Sequence, residues 1–323
     1  MERGEPSPPP GRYGVYVFIL YNVGVMPELP EVENLRRGLN SRIKGQIVKK
    51  VSVFAPKLVS GKGNVRHASG AKTRLFIRAF KGEKIQDIER RAKNLIFHFQ
   101  SGKILLVHLK MSGQFVYQER HKNVVEGGHP IQLSEIKLPN KHTRVIFELN
   151  KGVLYYNDTR MFGYLLYYPT IGTLIRENHF HKLGLEPFDP HFTLKYLAEE
   201  LKKKTGKIKT VLMGQGIVTG LGNIYCDEVC FAANIRPTRR ANSLKPNEIK
   251  KLHLAIQHIL KRAIEMGGSS IATYRLADGS RGNYAREHRV YGKDGKPCVI
   301  CGEDLKKIIV NNRSTVYCAS CQV

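Results

Sequence analysis

Acidic side chains are scarce in this chain of 323 residues: 27 Asp and Glu stand against 53 Lys and Arg, a formal net charge of +26. Long apolar runs are missing too. No stretch approaches the roughly 18 residues that a helix needs to cross a bilayer, so a membrane-spanning reading is excluded. No internal repeat is visible, and no oligomerisation signal is evident. What is present is 41% hydrophobic residues, too many for a wholly disordered chain, and enough length for about two domains with cores of their own. A folded protein this basic is built for a polyanion, with nucleic acid first and an anionic membrane surface second. Ribosomal, polymerase, repair and regulatory proteins all remain open on charge alone.

Cysteine is rare, and its placement narrows the field. Four of the six cysteines close the chain as Cys298-Val299-Ile300-Cys301 and Cys318-Ala319-Ser320-Cys321, with sixteen residues between the pairs. Two Cys-x-x-Cys turns at this spacing aim four thiolates at one tetrahedral point, the signature of a single structural zinc ion. Between them, Ile308-Ile309-Val310, a turn at Asn311–Ser314 and Thr315-Val316-Tyr317 read as a β-hairpin. Two disulfides in a secreted protein would be the other use of four cysteines, but no convincing export signal precedes them. Cys226 and Cys230 lie four apart on a helical pattern; they read as core thiols, with a metal pair as the rarer alternative.

The chain divides by pattern. Residues 1–25 are proline-rich and then apolar (Val15–Leu20), with two acids and two bases, neutral in a basic protein. They read as an extension ahead of the true start, with Met26 the initiator. Leu29, Val32, Leu35, Leu39 and Ile43 then mark an amphipathic helix that opens on Pro and Glu. Short β-rich runs follow at Ile47–Phe54, Arg74–Phe80, Asn94–Phe99, Lys103–Leu109, Gln114–Gln118, Thr143–Leu149, Val153–Asn157 and Tyr164–Tyr168, with a long loop or insertion at Glu119–Asn140. Beyond Arg176 the period becomes helical, at Thr193–Lys204 and Asn247–Met266, the latter stopped by Gly267-Gly268. The expected architecture is α+β and multidomain: extension 1–26, an antiparallel β-sandwich with flanking helices over 27–165, a linker at 166–182, a helical module over 183–278 and the zinc finger over 289–323.

Two segments carry more than composition: Met26-Pro27-Glu28-Leu29-Pro30-Glu31-Val32-Glu33, and Gly216–Tyr225 with its Gly220-Leu221-Gly222-Asn223 turn. The glycine-rich turn before Asn223, a good N-cap, would offer free N–H groups to an anion such as a DNA phosphate. With the finger and its Arg313, the chain from Pro27 to Gln322 resembles the formamidopyrimidine-DNA glycosylase family, which includes endonuclease VIII. The resemblance implies a helix–two-turn–helix element in the helical module. It also implies a monomeric bifunctional glycosylase and abasic-site lyase of base excision repair, acting on oxidised purines in double-stranded DNA, cytoplasmic and nucleoid-associated in the bacterial manner.

Residue by residue, the resemblance makes Pro27 the nucleophile, Glu28 the proton-handling carboxylate, Lys93 a lysine that acts in elimination and Arg313 the phosphate-gripping finger arginine. Met111, Arg160 and Phe162 would fill the hole left by a flipped base. His142, Asn223, Lys209 and Lys204 would contact DNA, Lys209 near the lesion pocket. Each has a blander reading: Pro27-Glu28 as a helix start, Lys93 and the lysine run Lys202, Lys203, Lys204, Lys207 and Lys209 as solvated surface, Met111 and Phe162 as sandwich core. No single residue of the loop Gly279–Gly292 is assigned. The chemistry sets one condition. A proline nitrogen inside a peptide bond is an amide and no nucleophile, so the active form should begin at Pro27. An endonuclease VIII-type preference for oxidised pyrimidines is the nearest alternative. A DNA-binding module without catalysis would follow if the extension is kept, and an RNA-binding role is more distant.

Overall fold

The computed structural model describes residues 14–18 (backbone), 26–63, 66–120, 138–177, 180–269 and 283–323. The rest of the extension, most of the long loop at 119–140 and the first part of the loop at 279–292 lie outside the described residues.

Helix α1 (Leu29–Ile43) starts on a capping box between Glu28 and Glu31, with Pro30 in its first turn. Its apolar face, Val32, Leu35, Leu39 and Ile43, is buried against a two-sheet sandwich. One sheet runs β1-β6-β8-β7-β2, from β1 (Gly14–Phe18), β6 (Gly113–Glu119), β8 (Gly152–Asp158), β7 (Thr143–Leu149) and β2 (Val48–Val53). The other runs β3-β4-β5-β9, from β3 (Ile85–Arg91), β4 (Asn94–Phe99), β5 (Ile104–His108) and β9 (Tyr164–Tyr168). All pairings in both sheets are antiparallel. Alternation along the strands sends Phe97, Leu105, Val107, Phe115, Tyr117, Phe147 and Tyr156 into the space between the sheets. On the outer face of the second sheet, Ile96, Leu106 and Leu166 pack with Leu174 of α4 (Ile171–Glu177).

Two elements depart from the sequence reading. Arg74–Phe80 is not a strand but the end of helix α3 (Gly70–Phe80), capped by the Ser69 side chain, which accepts from Lys72 N. Its buried residues, Phe76, Ala79 and Phe80, follow the three- and four-residue steps of a helix, which a short apolar run does not distinguish from a strand. Strand β3 was absent from the expected set because a register shift between Ile85 and Asp87 puts its buried residues at Ile85 and Ile88, three apart. The extension also contributes structure, since β1 pairs with β6 from Gly14↔Glu119 to Phe18↔Phe115.

The second unit packs α5 (Leu194–Lys202), α6 (Ile208–Met213), α7 (Asn223–Ala232) and α8 (Pro246–Glu265) around Leu201, Leu212, Val229, Leu252 and Ile256. Cys226 and Cys230 are fully buried in that core, where burial pushes both thiols up. In the finger, β10 (Lys306–Val310) and β11 (Arg313–Tyr317) join through Asn311 and Asn312, at φ 48° and 57°. Two successive left-handed residues make the tight type I′ hairpin turn, for which asparagine is suited.

Candidate active site

The site forms where α1 meets the start of α7. Glu28 precedes α1 and is 1% exposed. Its carboxylate accepts from the backbone N–H groups of Gly222 (2.5 Å), Ile224 (2.8 Å) and Tyr225 (3.3 Å). The glycine-rich turn therefore does present an anion site at a helix N-terminus, but its occupant is the chain's own carboxylate, not a phosphate. The fit needs glycine. A Cβ on Gly222 would lie 2.4 Å from Glu28 Cδ, and one on Gly220 (φ +93°) 2.4 Å from Leu29 Cβ. Asn223 is the first residue of α7, and Gly222 holds the N-cap position expected for it. Burial drives the Glu28 carboxyl up to about 7, against the pull of the Lys93 ammonium and of the amides.

Pro27, next in the chain, is buried beside Glu28. Lys93 occupies the two-residue turn between β3 and β4, where Ala92 adopts φ 54°. Its Nζ donates to Leu221 O at 2.8 Å, and burial lowers its proton affinity against the attraction of Glu28. The turn is fastened from behind. Arg90 bonds Glu33 and Glu186, Arg91 bonds Glu186 and Gly184 O, and Ala92 N donates to Glu186. Glu31 completes the frame: it accepts from Glu28 N, Tyr225 Oη and Ser269 N.

Arg313 opens β11 and is exposed; its charge opposes that of Lys93. The finger's four cysteine sulfurs lie within 4.8 Å of one another. A tetrahedron with Zn–S bonds of about 2.3 Å has edges of about 3.8 Å. The observed Cys298–Cys321 and Cys301–Cys318 separations of 3.9 and 3.5 Å fit it. With four thiolates, no coordination position is left open for chemistry.

Met111, Arg160 and Phe162 come together on the sandwich. The Arg160 guanidinium lies 4.5 Å from the Phe162 ring centre and its Nη1 3.5 Å from Met111 Sδ. Phe162 is 46% exposed, so this is not core. Met161, between them, turns inward against the sandwich core. His142 sits nearby, its carbonyl accepting from Asp158 N.

A Formamidopyrimidine-DNA glycosylase N-terminal domain matches residues 26–165, the H2TH domain of the same enzymes residues 183–275, and the zinc finger found in FPG and IleRS residues 295–323. The formamidopyrimidine-DNA glycosylase of Desulfitobacterium hafniense is 37% identical over 92% of this chain and 100% of its own. That of Bacillus cereus is 38% identical over 92% and 99%. The chain belongs to the formamidopyrimidine-DNA glycosylase family. Among solved structures, a Lactococcus lactis FPG mutant bound to a Fapy-dG containing DNA matches at TM-score 0.78 and 35% identity, over 92% of this chain and 99% of that one. The Lactococcus lactis enzyme bound to an abasic site containing DNA matches at 0.77 and 35%, over 91% and 99%.

Lys209 reaches toward the finger. It is 0% exposed, its Nζ 2.7 Å from Asp227 and donating to Ser314 O (3.0 Å) and Thr315 Oγ1 (2.8 Å). Through these contacts it ties α6 to α7 and to the hairpin strand that carries Arg313. Lys204, just past α5, is exposed. Sequence reasoning missed His108, which ends β5. Burial and the charges of Lys110 and Lys93 hold its imidazole down to about 3, and its Nδ1 accepts from Lys110 N. Its one signal was a polar residue closing the apolar run Ile-Leu-Leu-Val. Glu186 had none, as it lies 96 residues from Arg90 in sequence.

Proposed function

We infer that this chain is a bifunctional DNA glycosylase and abasic-site lyase that excises oxidised purines, 8-oxoguanine and formamidopyrimidines, from double-stranded DNA. The observation that carries the reading is the Glu28 carboxyl: buried next to Pro27, fixed by three amides and poised near neutral pH by the opposition of burial and Lys93. A group so poised holds a proton at working pH and yields it readily. The amine of Pro27, freed at the chain start, attacks C1′ of the damaged nucleoside, and the base departs with a proton. The nitrogen gives up its proton, the C1′–O4′ bond breaks as the sugar ring opens with a proton delivered to O4′, and the iminium so formed is positive without a proton and acidifies C2′. Loss of a C2′ proton expels the 3′ phosphate, and a second elimination expels the 5′ phosphate. Glu28 and Lys93 move the protons, and Arg313 grips the phosphates with its fork of donors. Cys298, Cys301, Cys318 and Cys321 hold a zinc ion, which when bound fixes the hairpin carrying Arg313.

Several observations support the remaining assignments. The clustered Met111, Arg160 and Phe162 suit a wedge that fills the space of an extruded base. Asn223 and His142 lie beside the site and the wedge, where DNA phosphates would pass. The purine preference is supported by relatives caught with Fapy-dG and carbocyclic 8-oxo-G containing DNA. The start at Pro27 is supported by the family match, which begins at residue 26, and by relatives whose full length pairs with 298 residues of this chain. A cytoplasmic, nucleoid-associated enzyme of bacterial type is the matching location. Borohydride trapping on DNA with an abasic site tests the mechanism: a covalent adduct at Pro27 in protein beginning there is expected. Binding without an adduct would leave a DNA-binding module, and a panel of purine and pyrimidine lesions tests the preference.

A further inference from the structure

The loop that carries Arg160 and Phe162 is gripped through both its N–H groups and its carbonyls. The buried Asp158 carboxylate accepts from Met161 N (2.9 Å) and Gly163 N (2.8 Å). Ser112 Oγ bridges Asp158 to Arg160 N. On its carbonyls, Arg66 donates through Nη1 to Gly163 O (2.6 Å) and through Nη2 to Met161 O (2.7 Å). One carboxylate thus takes both N–H groups, and one guanidinium both carbonyls, of the two residues that flank Phe162. Met161 stands at φ 54°, a conformation that a non-glycine residue keeps only when its surroundings over-determine it. Arg66 comes from the connection between α2 (Lys57–Ser60) and α3. That connection is drawn shut by Ser69 N donating to Ser60 Oγ (3.1 Å) and Lys72 Nζ donating to Ser60 O (3.1 Å).

We propose that Arg66 is a positioning residue for base extrusion: its two-pronged hold on Met161 and Gly163 keeps Phe162 and Arg160 standing in the conformation that enters the DNA stack. The planar fork matters, because two carbonyls 97 and 95 residues away in sequence are bonded by one rigid group. A lysine offers a point donor that satisfies one carbonyl at a time. Preorganisation of this kind lowers the ordering cost of insertion without touching the DNA.

The inference rests on the wedge reading above, and the test separates the two. Full-length protein is titrated with duplex DNA holding a tetrahydrofuran abasic analogue and a neighbouring 2-aminopurine, whose fluorescence rises when the stack is opened; no cleavage is needed. A second duplex has the analogue flanked by mismatches, so the stack is already open. Arg66→Gln is expected to weaken binding to the paired duplex by about tenfold and to lose most of the fluorescence rise, with less than about twofold change on the opened duplex. Arg66→Lys should fall between. Equal losses on both duplexes would overturn the proposal, since they mark a general phosphate contact or a folding defect. A wild-type response in Arg66→Gln, with the rise lost in Phe162→Ala, would overturn the clamp while keeping the wedge. A full rise in Phe162→Ala would overturn the wedge reading itself.

Discussion

Replacing Lys209 with methionine keeps the volume of the side chain and deletes its charge. Asp227 then remains 0% exposed with no cation, and Ser314 O and Thr315 Oγ1 lose their donor. Removing one partner of a buried pair costs about 3–5 kcal/mol. At roughly 2–4 °C per kcal/mol, that is a fall in Tm of roughly 6–20 °C. The cost should grow with pH. Burial already lifts the Asp227 carboxyl to about 7 against the pull of Lys209. Without Lys209 it rises further, so above neutral pH the variant must either ionise an unpaired buried acid or hold its proton against solvent. Each pH unit in that range adds about 1.4 kcal/mol. Lys209→Met/Asp227→Leu, which removes both charges, should recover most of the loss. Thermal denaturation at pH 6 and 8.5, with zinc release followed by a chromophoric chelator, reads both quantities. Unchanged stability and zinc retention in Lys209→Met, with base excision lost tenfold or more, would refute the reasoning and favour a contact of Lys209 with the lesion.

Glu28 has its folded value raised from 4.5 to about 7, so its stabilising contribution is complete below the unfolded value and is lost as pH rises through the folded one. Wild type should lose about 2 kcal/mol more than Glu28→Gln between pH 5.5 and 8, measured by urea denaturation at each pH. Gly222→Ala drives a Cβ into Glu28 Cδ, and overpacking of this kind costs about 1–3 kcal/mol. Lyase turnover on a preformed abasic site should fall with it, by more than Gly206→Ala, whose Cβ would meet its nearest neighbour at 3.4 Å. Cys318→Ser should lose the zinc ion by metal analysis and weaken strand scission more than abasic-site binding, because Arg313 rides on the hairpin that the metal fixes.

The sandwich, the terminal finger and the long helix α8 were legible because their signals are local: alternation, paired Cys-x-x-Cys turns and a three- and four-residue apolar step ended by two glycines. Helix α3 was misread because Arg74–Phe80 alone is too short to separate the two periods, and β3 was hidden by its bulge. Within the site, the residues that belong to contiguous motifs, Pro27, Glu28 and the 220–223 turn, could be found. Their relation could not, for only the fold reveals that the turn's amides serve Glu28. Glu186 and Arg66 act through partners 94 to 97 residues away, and no pattern along the chain announces such pairs.

The Glu28 carboxyl sits on one domain and its three amide donors on the other, so the acid is a gauge of how tightly the halves meet. Leu29 N to Gly220 O, Lys93 Nζ to Leu221 O and Asn34 Nδ2 to Ile264 O cross the same seam. Letting water into the seam would rehydrate the carboxyl and release its proton at neutral pH. The packing of this seam and the proton affinity of Glu28 are therefore one variable.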